Sequence, residues 1–264
     1  ELAFAEDGTY AITGGVGALG LIFAKWMIER KAKNVVLLSR SGQPPADCKA
    51  AFKKLAASVR VEKADIGSAD EVRRLVKSME KTMPQLRGII HAAGVLEDRV
   101  IVDLEREHLE LVAGAKIDGT LNLQECTKHL KLDVFALFSS VAAMLGNVGQ
   151  ANYSAVNSFM DSFAAQRRAN DLAGVSLQWG PWADVGMAAR ANTSESSIKR
   201  MEAAKGLEAM EAVLSSSKLR SGVVGVARID WKVLLSLMPT VPTFLGKFGG
   251  SLSKGGAGGA VGNF

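Results

Sequence analysis

A serine, a tyrosine and an asparagine carry the first chemical signal in this sequence. Ser140 ends an apolar run that is typical of a strand, and Tyr153 follows thirteen residues later at a predicted helix start. Asn157 lies four residues after Tyr153, so their side chains share one face of that helix. A serine and a tyrosine at these places can hold a carbonyl oxygen from two sides, with the tyrosine as proton donor.

A tyrosine phenol ordinarily has a pKa of about 10, so it donates a proton more readily when a neighbouring group lowers that pKa. A nearby ammonium group has this effect. Lys116, upstream of Ser140, is the candidate. We therefore expect Lys116 to lower the pKa of Tyr153.

A glycine-rich segment between a predicted strand and a predicted helix is typical of a dinucleotide-phosphate loop. It reads TGGVGALG and contains the pattern G-x-G-x-x-G at Gly15, Gly17 and Gly20. One glycine makes the turn off the strand, the next lets the backbone approach a pyrophosphate, and the third packs helix against strand. The helix N-terminus offers free N–H groups to the phosphates. The cofactor contacts predicted here are Thr13, Gly14, Gly15, Val16, Gly17, Leu19 and Gly20.

The end of the second predicted strand indicates which nicotinamide cofactor fits. A site for NAD usually has an acidic residue at this place for the ribose hydroxyls. This chain has Ser39 and Arg40 instead. Because a guanidinium group pairs with a 2′-phosphate, Arg40 predicts NADPH.

Short β-branched runs alternate with helical stretches, which predicts an α/β fold with a doubly wound, parallel, seven-stranded sheet and helices on both faces. One domain is expected over 1–245, with a lid at about 183–205 because that stretch begins polar and aperiodic, and a glycine-rich flexible tail at 246–264. The clearest predicted helices are Leu19–Arg30 and Ala69–Lys81. The predicted strands are Thr9–Thr13, Asn34–Ser39, Arg60–Ala64, Gly88–His91, Val134–Ser139, Val175–Trp179 and Val223–Ile229.

Composition excludes several classes of protein. The 264 residues are 48% hydrophobic and 22% charged, a balance that disfavours a disordered chain. No apolar run reaches the roughly 18 residues of a membrane span, and no signal peptide is expected. The net charge of +5 is mild and only 6% of residues are aromatic, which disfavours nucleic-acid binding. Two cysteines indicate reduced thiols and a cytoplasmic location, and the three histidines lack metal-ligand spacing.

Over about Gly8 to Ile229 the sequence resembles the ketoreductase domains of type I polyketide synthases, within the short-chain dehydrogenase/reductase superfamily. The resemblance rests on TGGVGALG, LLSRSG, HAAGV, WGPWADVGMA and the Ser140, Tyr153 and Asn157 set. An ordinary short-chain dehydrogenase has a lysine four residues after its tyrosine, where this chain has Asn157. The ketoreductase domains take their lysine from an upstream helix, as Lys116 would be here, 24 residues before Ser140.

The resemblance implies a Rossmann-like fold and a role for each site residue. Tyr153 would donate the proton, Ser140 would polarise the substrate carbonyl, and Lys116 would lower the tyrosine pKa. Asn157 would support the proton relay and hold the lysine region in place. Asp65 would contact the adenine amine, and Trp179, Pro181 and Trp182 would flank the nicotinamide, with Met187 in the lid. The cofactor group also includes Ile66 and the turn residues His91, Ala92, Ala93 and Gly94, of which His91 is interpreted as structural.

The resemblance also implies the substrate and the partners. The substrate would be a 3-oxoacyl thioester on an acyl carrier protein, reduced in polyketide or fatty-acid biosynthesis beside other synthase domains. The family's catalytic half usually docks onto an upstream Rossmann-like half, so this chain is either an excised catalytic half or a free-standing relative.

A Leu-x-Asp motif marks one product class of the family, and a tryptophan eight residues before the tyrosine marks the other. This chain has Leu96, Glu97 and Asp98, and Leu145 at the tryptophan place. Ala155 stands where epimerising members have proline. These residues predict a (3R)-hydroxy product without epimerisation; the expected stereocontrol residues are Leu96, Asp98, Leu145, Gln150 and Met187.

Two alternatives remain from the sequence. One is a free dehydrogenase for small alcohols, sugars or steroids, which Asn157 disfavours. The other is a non-catalytic NADP-binding scaffold, which the presence of all four catalytic candidates disfavours.

Overall fold

A computed structural model describes residues 2–183, 197–216 and 221–249. The strands are β1 (Thr9–Thr13), β2 (Asn34–Ser39), β3 (Val59–Lys63), β4 (Leu86–His91), β5 (Val134–Ser140), β6 (Val175–Trp179), β7 (Ile198–Lys199), β8 (Val223–Val226) and β9 (Arg228–Ile229). The helices are α1 (Ala18–Glu29), α2 (Lys49–Leu55), α3 (Ala69–Thr82), α4 (Arg106–Ala113), α5 (Gly119–Thr127), α6 (Ala142–Leu145), α7 (Ala151–Ala169), α8 (Ala203–Ser215), α9 (Trp231–Ser236) and α10 (Gly246–Gly249). A π-helical turn (Gly114–Asp118) joins α4 to α5, and short 3-10 turns cover Ala46–Cys48, Ala56–Ser58, Ile101–Asp103 and Thr243–Leu245.

Within these ranges seven strands form one parallel sheet in the order β3-β2-β1-β4-β5-β6-β8. This Rossmann-like arrangement confirms the predicted fold class. The strand order reverses direction between β1 and β4, and ligands of such sheets bind beside the carboxyl ends of the strands at that reversal. The fold therefore directs attention to the residues that follow β1, β4 and β5.

Each face of the sheet carries its own apolar core, because strands covered on both faces are apolar along their whole length. On one face, α1 contributes Phe23 and Trp26 to a core that also contains Trp179, and α8 packs against the same core. On the other face, α3, α5 and α7 cover Val36, Leu137 and their neighbours. Helix α7 thus lies across β5 and β6, which brings its first turn to the carboxyl end of β5.

The predicted bounds of β1, β2 and β6 agree with the structure. Those of β4 and β5 differ from it by two residues and one residue at one end, and β3 is shifted by one residue. The last predicted strand, Val223–Ile229, was wrong as a single element. Its first half is β8 in the sheet, whereas Arg228 and Ile229 pair antiparallel with β7. The chain therefore leaves the sheet after Val226 to make this separate two-stranded contact.

The predicted lid lies partly outside the described residues, and so does Met187. The described end of that stretch contains β7 and the start of α8. Of the predicted tail, residues 246–249 form α10, and residues 250–264 lie outside the described ranges. Among the described helices, none has the length and apolar character needed to cross a bilayer.

Candidate active site

The loop after β1 has the backbone shape that the glycine pattern predicts. Gly14 adopts a φ of +66°, a left-handed conformation that favours glycine, and so turns the chain off the strand. A Cβ atom at Gly15 would lie 2.8 Å from Leu37 Cα, and one at Gly20 would lie 2.5 Å from Gly15 Cα. These two glycines therefore allow close packing of loop, helix and sheet.

Gly17 differs from the other glycines of the loop. It immediately precedes α1, and a Cβ there would approach only the carbonyl oxygen of Gly14, at 3.2 Å. Packing within the protein thus does not account for glycine at this place. The first N–H groups of a helix have no partner within the helix, and they lie beside Gly17. A side chain at Gly17 would instead obstruct an anion that approaches these groups.

The ends of β2 and β3 lie side by side, because Ala64 N donates to Ser39 O at 3.0 Å. Arg40 is exposed directly after β2. Asp65 is also exposed, and its carboxylate accepts a hydrogen bond from Gly67 N at 2.9 Å. Ile66 is buried beneath this turn. The structure thus brings the predicted adenosine-side residues to one edge of the sheet.

His91 supports the loop from below. Its side chain is fully buried, and its Nδ1 lies 2.7 Å from Thr13 Oγ1. Thr13 Oγ1 also accepts a hydrogen bond from Ala93 N at 3.1 Å. Burial lowers the pKa of His91 to about 3, so the ring is neutral. The side chain of His91 therefore ties β1 to the turn after β4, in agreement with its structural interpretation, and its place among the cofactor contacts stays a prediction.

Lys116 reaches the carboxyl end of the sheet from the π-helical turn between α4 and α5. Such turns are frequent at functional sites. The side chain is 2% exposed, and its Nζ donates to Phe138 O in β5 at 2.8 Å. A Cβ at Gly94 would lie 3.0 Å from Lys116 Cε, so the turn after β4 passes directly over the lysine.

Tyr153 lies in the first turn of α7 with its ring 5.5 Å from Lys116 Nζ. The ring packs with Val112 and Val156. Ser140 ends β5, and its Oγ accepts a hydrogen bond from Ala142 N at 3.1 Å. The hydroxyl hydrogen of Ser140 therefore remains available for a ligand oxygen.

Asn157 does not hold the lysine in this structure. Its Nδ2 donates to the backbone oxygen of Tyr153 at 2.8 Å, one turn back along α7. Its Oδ1 is buried and has no hydrogen-bond partner among the described residues. A polar atom in that state requires a bound water or ligand group, which agrees with a place in a proton relay.

The expected effect of Lys116 on Tyr153 is not seen in the protein alone. Burial raises the pKa of Tyr153, and the group that counteracts this is Asn157, not Lys116. Burial also lowers the pKa of Lys116 to about 7, against an opposing effect of Asp161. The net shift of the Tyr153 pKa is therefore upward, because removal from water disfavours the charged form of both groups. The lowering of this pKa by a charged Lys116 stays a prediction.

The substrate-side residues meet in front of Tyr153. Gln150 Nε2 lies 3.1 Å from both carboxylate oxygens of Asp98. Leu96 packs against the apolar cluster around Tyr153. Leu145 is half-buried at the end of α6. The two predicted stereocontrol residues Asp98 and Gln150 are thus direct partners.

Trp179, the last residue of β6, and Trp182, three residues later, both have their rings in the core. That they flank the nicotinamide with Pro181 stays a prediction. Trp182 is 4% exposed, with its ring 5.1 Å from that of Trp179 and 6.0 Å from that of Phe23. A Cβ at Gly206 of α8 would collide with the Trp182 ring. Pro181 is half-buried at this place. Spacing alone could not show which way these rings turn.

Comparison with known proteins agrees with this geometry. The family model described as the KR domain matches residues 8–184. A phenolphthiocerol/phthiocerol polyketide synthase of Mycobacterium tuberculosis is 35% identical over 219 residues, covering 83% of this chain and 12% of that protein. A type I polyketide synthase of phenolphthiocerol synthesis from Mycobacterium marinum is 40% identical over 220 residues, covering 79% of this chain and 10% of that protein.

Solved structures give the same result. A ketoreductase domain from the bacillaene assembly line has a TM-score of 0.80 at 32% identity, covering 90% of this chain and 60% of that chain. An A1-type ketoreductase has a TM-score of 0.81 at 28% identity, covering 93% and 53%. The chain belongs to the ketoreductase domains of polyketide synthases. It spans about a tenth of the length of the curated synthases that it matches.

As a ketoreductase domain, the protein is an oxidoreductase of the short-chain dehydrogenase/reductase type, a class that binds a nicotinamide cofactor. Sequence analysis missed one residue of its site, Asn152. This side chain precedes Tyr153, is 1% exposed and bonds three separate segments. An asparagine in the first turn of a helix is a known signal for side-chain bonds to nearby backbone, and it could have been noticed.

Proposed function

We propose that this domain reduces a 3-oxoacyl thioester, carried on an acyl carrier protein, to the (3R)-3-hydroxyacyl thioester with NADPH. The observation that carries the proposal is the buried Lys116 amine beside the Tyr153 ring, bound to the strand that ends at Ser140. This arrangement provides a proton donor, a hydrogen-bond donor and a cation at one place. Together they suit a carbonyl oxygen that gains negative charge.

The residues of the cofactor side fit a phosphorylated dinucleotide. Gly17 leaves the N-terminus of α1 open to an anion, and Thr13 and His91 fix the turn that would face the adenosine ribose. Arg40 is exposed directly after β2, which supports a guanidinium contact with the 2′-phosphate. When bound, NADPH supplies the hydride.

The side chains of the domain supply the proton and bind the oxygen. Because burial raises its pKa, Tyr153 is protonated at neutral pH and can give its proton to the substrate oxygen. Ser140 can donate a second hydrogen bond to that oxygen, since its own oxygen is already bonded to Ala142 N. A charged Lys116 would then stabilise the phenolate that Tyr153 becomes.

Family membership supports the substrate class and the partners. We propose an acyl carrier protein and the other domains of a synthase as partners, in polyketide or fatty-acid biosynthesis in the cytoplasm. The relatives that the chain matches are much longer than the chain itself, which agrees with one domain among several.

The test compares the only two tyrosines of the chain. NADPH oxidation is measured with a 3-oxoacyl N-acetylcysteamine thioester, with a sugar or steroid ketone, and without substrate. We expect thioester-dependent oxidation that Tyr153→Phe lowers by about 10²–10⁴-fold, because the proton donor is lost while NADPH binding stays within about twofold. Tyr10→Phe is the control: Tyr10 OH accepts a bond from Ala5 N in the core, so its loss lowers stability and not turnover.

Each other outcome contradicts a particular part of the proposal. A preference for the sugar or steroid ketone would indicate a free dehydrogenase. NADPH binding without any oxidation would indicate a scaffold. An active Tyr153→Phe enzyme would show that Tyr153 is not the proton donor.

Chiral chromatography of the product tests the stereochemistry. Asp98 and the absence of tryptophan at Leu145 predict the (3R) product, and a mostly (3S) product would contradict the assignment.

A further inference from the structure

The buried side chain of Asn152, 1% exposed, bonds backbone groups of three other residues. Its Oδ1 accepts a hydrogen bond from Tyr153 N at 2.8 Å. Its Nδ2 donates to Glu97 O at 2.7 Å and, at 3.4 Å, to His108 O in α4. One buried amide thus joins the first turn of α7 to two segments more than 40 residues away in sequence.

Among the described residues, the other hydrogen bonds from the segment 97–99 to the rest of the domain go to Gly149 and Gln150. Arg99 N donates to Gly149 O at 2.8 Å, and Asp98 accepts from Gln150. The Glu97 side chain turns away to an ion pair with Arg99, at 3.0 Å and partly exposed. The bond from the buried Asn152 side chain to Glu97 O is therefore the attachment of this segment nearest to Tyr153. It binds the backbone of Glu97 and does not depend on the side chain there.

We propose that Asn152 is a positioning residue that fixes the segment 97–99 relative to Tyr153 and thereby selects the carbonyl face that is reduced. A rigid amide that bonds Tyr153 on one side and Glu97 on the other sets the separation of the proton donor and the Asp98 carboxylate. Buried hydrogen bonds resist displacement, since breaking one leaves an unpaired group away from water. The inference rests on the proposed function.

Two variants of Asn152 separate its two contacts. Asn152→Asp keeps the acceptor for Tyr153 N but loses the donor to Glu97 O, and Asn152→Ala loses both. Ser154→Ala is the matched control on the other side of Tyr153, because the buried Ser154 Oγ has no hydrogen-bond partner among the described residues. Circular dichroism and the melting temperature show which variants fold.

Two readouts are measured on each folded variant and on the parent. The first is hydrogen–deuterium exchange of the peptide that carries the Arg99 amide, which needs no activity. The second is the ratio of (3R) to (3S) product. We expect the Arg99 peptide to exchange faster in both Asn152 variants. We also expect the fraction of the minor enantiomer to rise roughly fivefold, the change in ratio that the loss of one neutral hydrogen bond produces. NADPH affinity should be unchanged, and Ser154→Ala should match the parent in both readouts.

An unchanged product ratio in a folded Asn152 variant overturns the proposal, even where exchange is faster. Unchanged exchange overturns it as well. A parent that reduces no thioester refutes the proposed function instead, and exchange alone then decides whether Asn152 holds the segment. A parent that yields mostly (3S) product corrects the stereochemical assignment, while the change in ratio still tests Asn152.

Discussion

At the scale of one residue, the burial of Lys116 beside Tyr153 serves the proposed reaction but lowers the stability of the domain. A buried ammonium group is unfavourable, and burial lowers its pKa from 10.5 to about 7. The unfolded chain therefore binds more protons than the folded one between pH 7 and 10.5. Stability contributed through this group must rise as the pH rises through that window.

Lys116→Met should remove this pH dependence. We expect the variant to be more stable than the parent at pH 7 and below, with the difference shrinking towards pH 10, and to lose most of its reductase activity. Urea unfolding between pH 6 and 10 measures the effect. Lys25→Met is the control, since Lys25 is 67% exposed on α1. A stability difference that is constant across this range would show that folding does not lower the pKa of Lys116.

The sequence predicted the identity of the central residues better than their interactions. Ser140 and Tyr153 could be placed because strand ends and helix starts leave clear patterns. The anchoring of Lys116 to Phe138 O could not, because no pattern marks a π-helical turn. The buried ring of Trp182 was likewise out of reach, since its packing depends on Gly206 in a helix that follows later in the chain.

The phosphate loop allows a prediction at the scale of an element. Gly17→Ala should fold normally, because a Cβ there approaches only one backbone oxygen. It should bind NADPH at least about tenfold more weakly, because the added methyl group would obstruct the phosphates. Gly20→Ala should instead lose about 1–3 kcal/mol of stability, because its Cβ would collide with Gly15 Cα. Thermal unfolding and NADPH titration separate the two. Equal losses in both variants would contradict the assignment of different roles to these glycines.

Strands such as β2 and β5 were predictable because the sheet is covered on both faces, which gives these strands continuous apolar runs. The two-stranded contact of β7 with β9 was not, because its four residues carry no alternation that identifies a partner about 30 residues away. Short pairings of this kind depend on the tertiary structure around them.

At the scale of the whole molecule, the parallel orientation of the strands explains why residues from five separate segments lie at one edge of the sheet. Parallel strands place all their carboxyl ends on that edge, so Thr13, Arg40, Asp65, Gly94 and Ser140 converge although the chain separates them. The opposite edge receives the residues that precede the strands. A substitution at the cofactor edge can therefore be compared with a control substitution at the other end of the same strand.

Arg40 and Lys33 form such a pair, because Arg40 follows β2 and Lys33 precedes it. A ligand that binds only the folded state, at 100 times its Kd, stabilises the domain by about 2.7 kcal/mol. For a domain of this size that raises the melting temperature by roughly 5–10 °C. We expect NADPH to produce such a shift and NADH, at equal concentration, a smaller one. Arg40→Asp should abolish the difference between the melting-temperature shifts of the two cofactors, since a carboxylate repels the 2′-phosphate. Lys33→Asp is the control: it makes the same change of charge at the opposite edge of the sheet and should preserve that difference. A preference for NADPH that survives Arg40→Asp would place the phosphate contact on another residue.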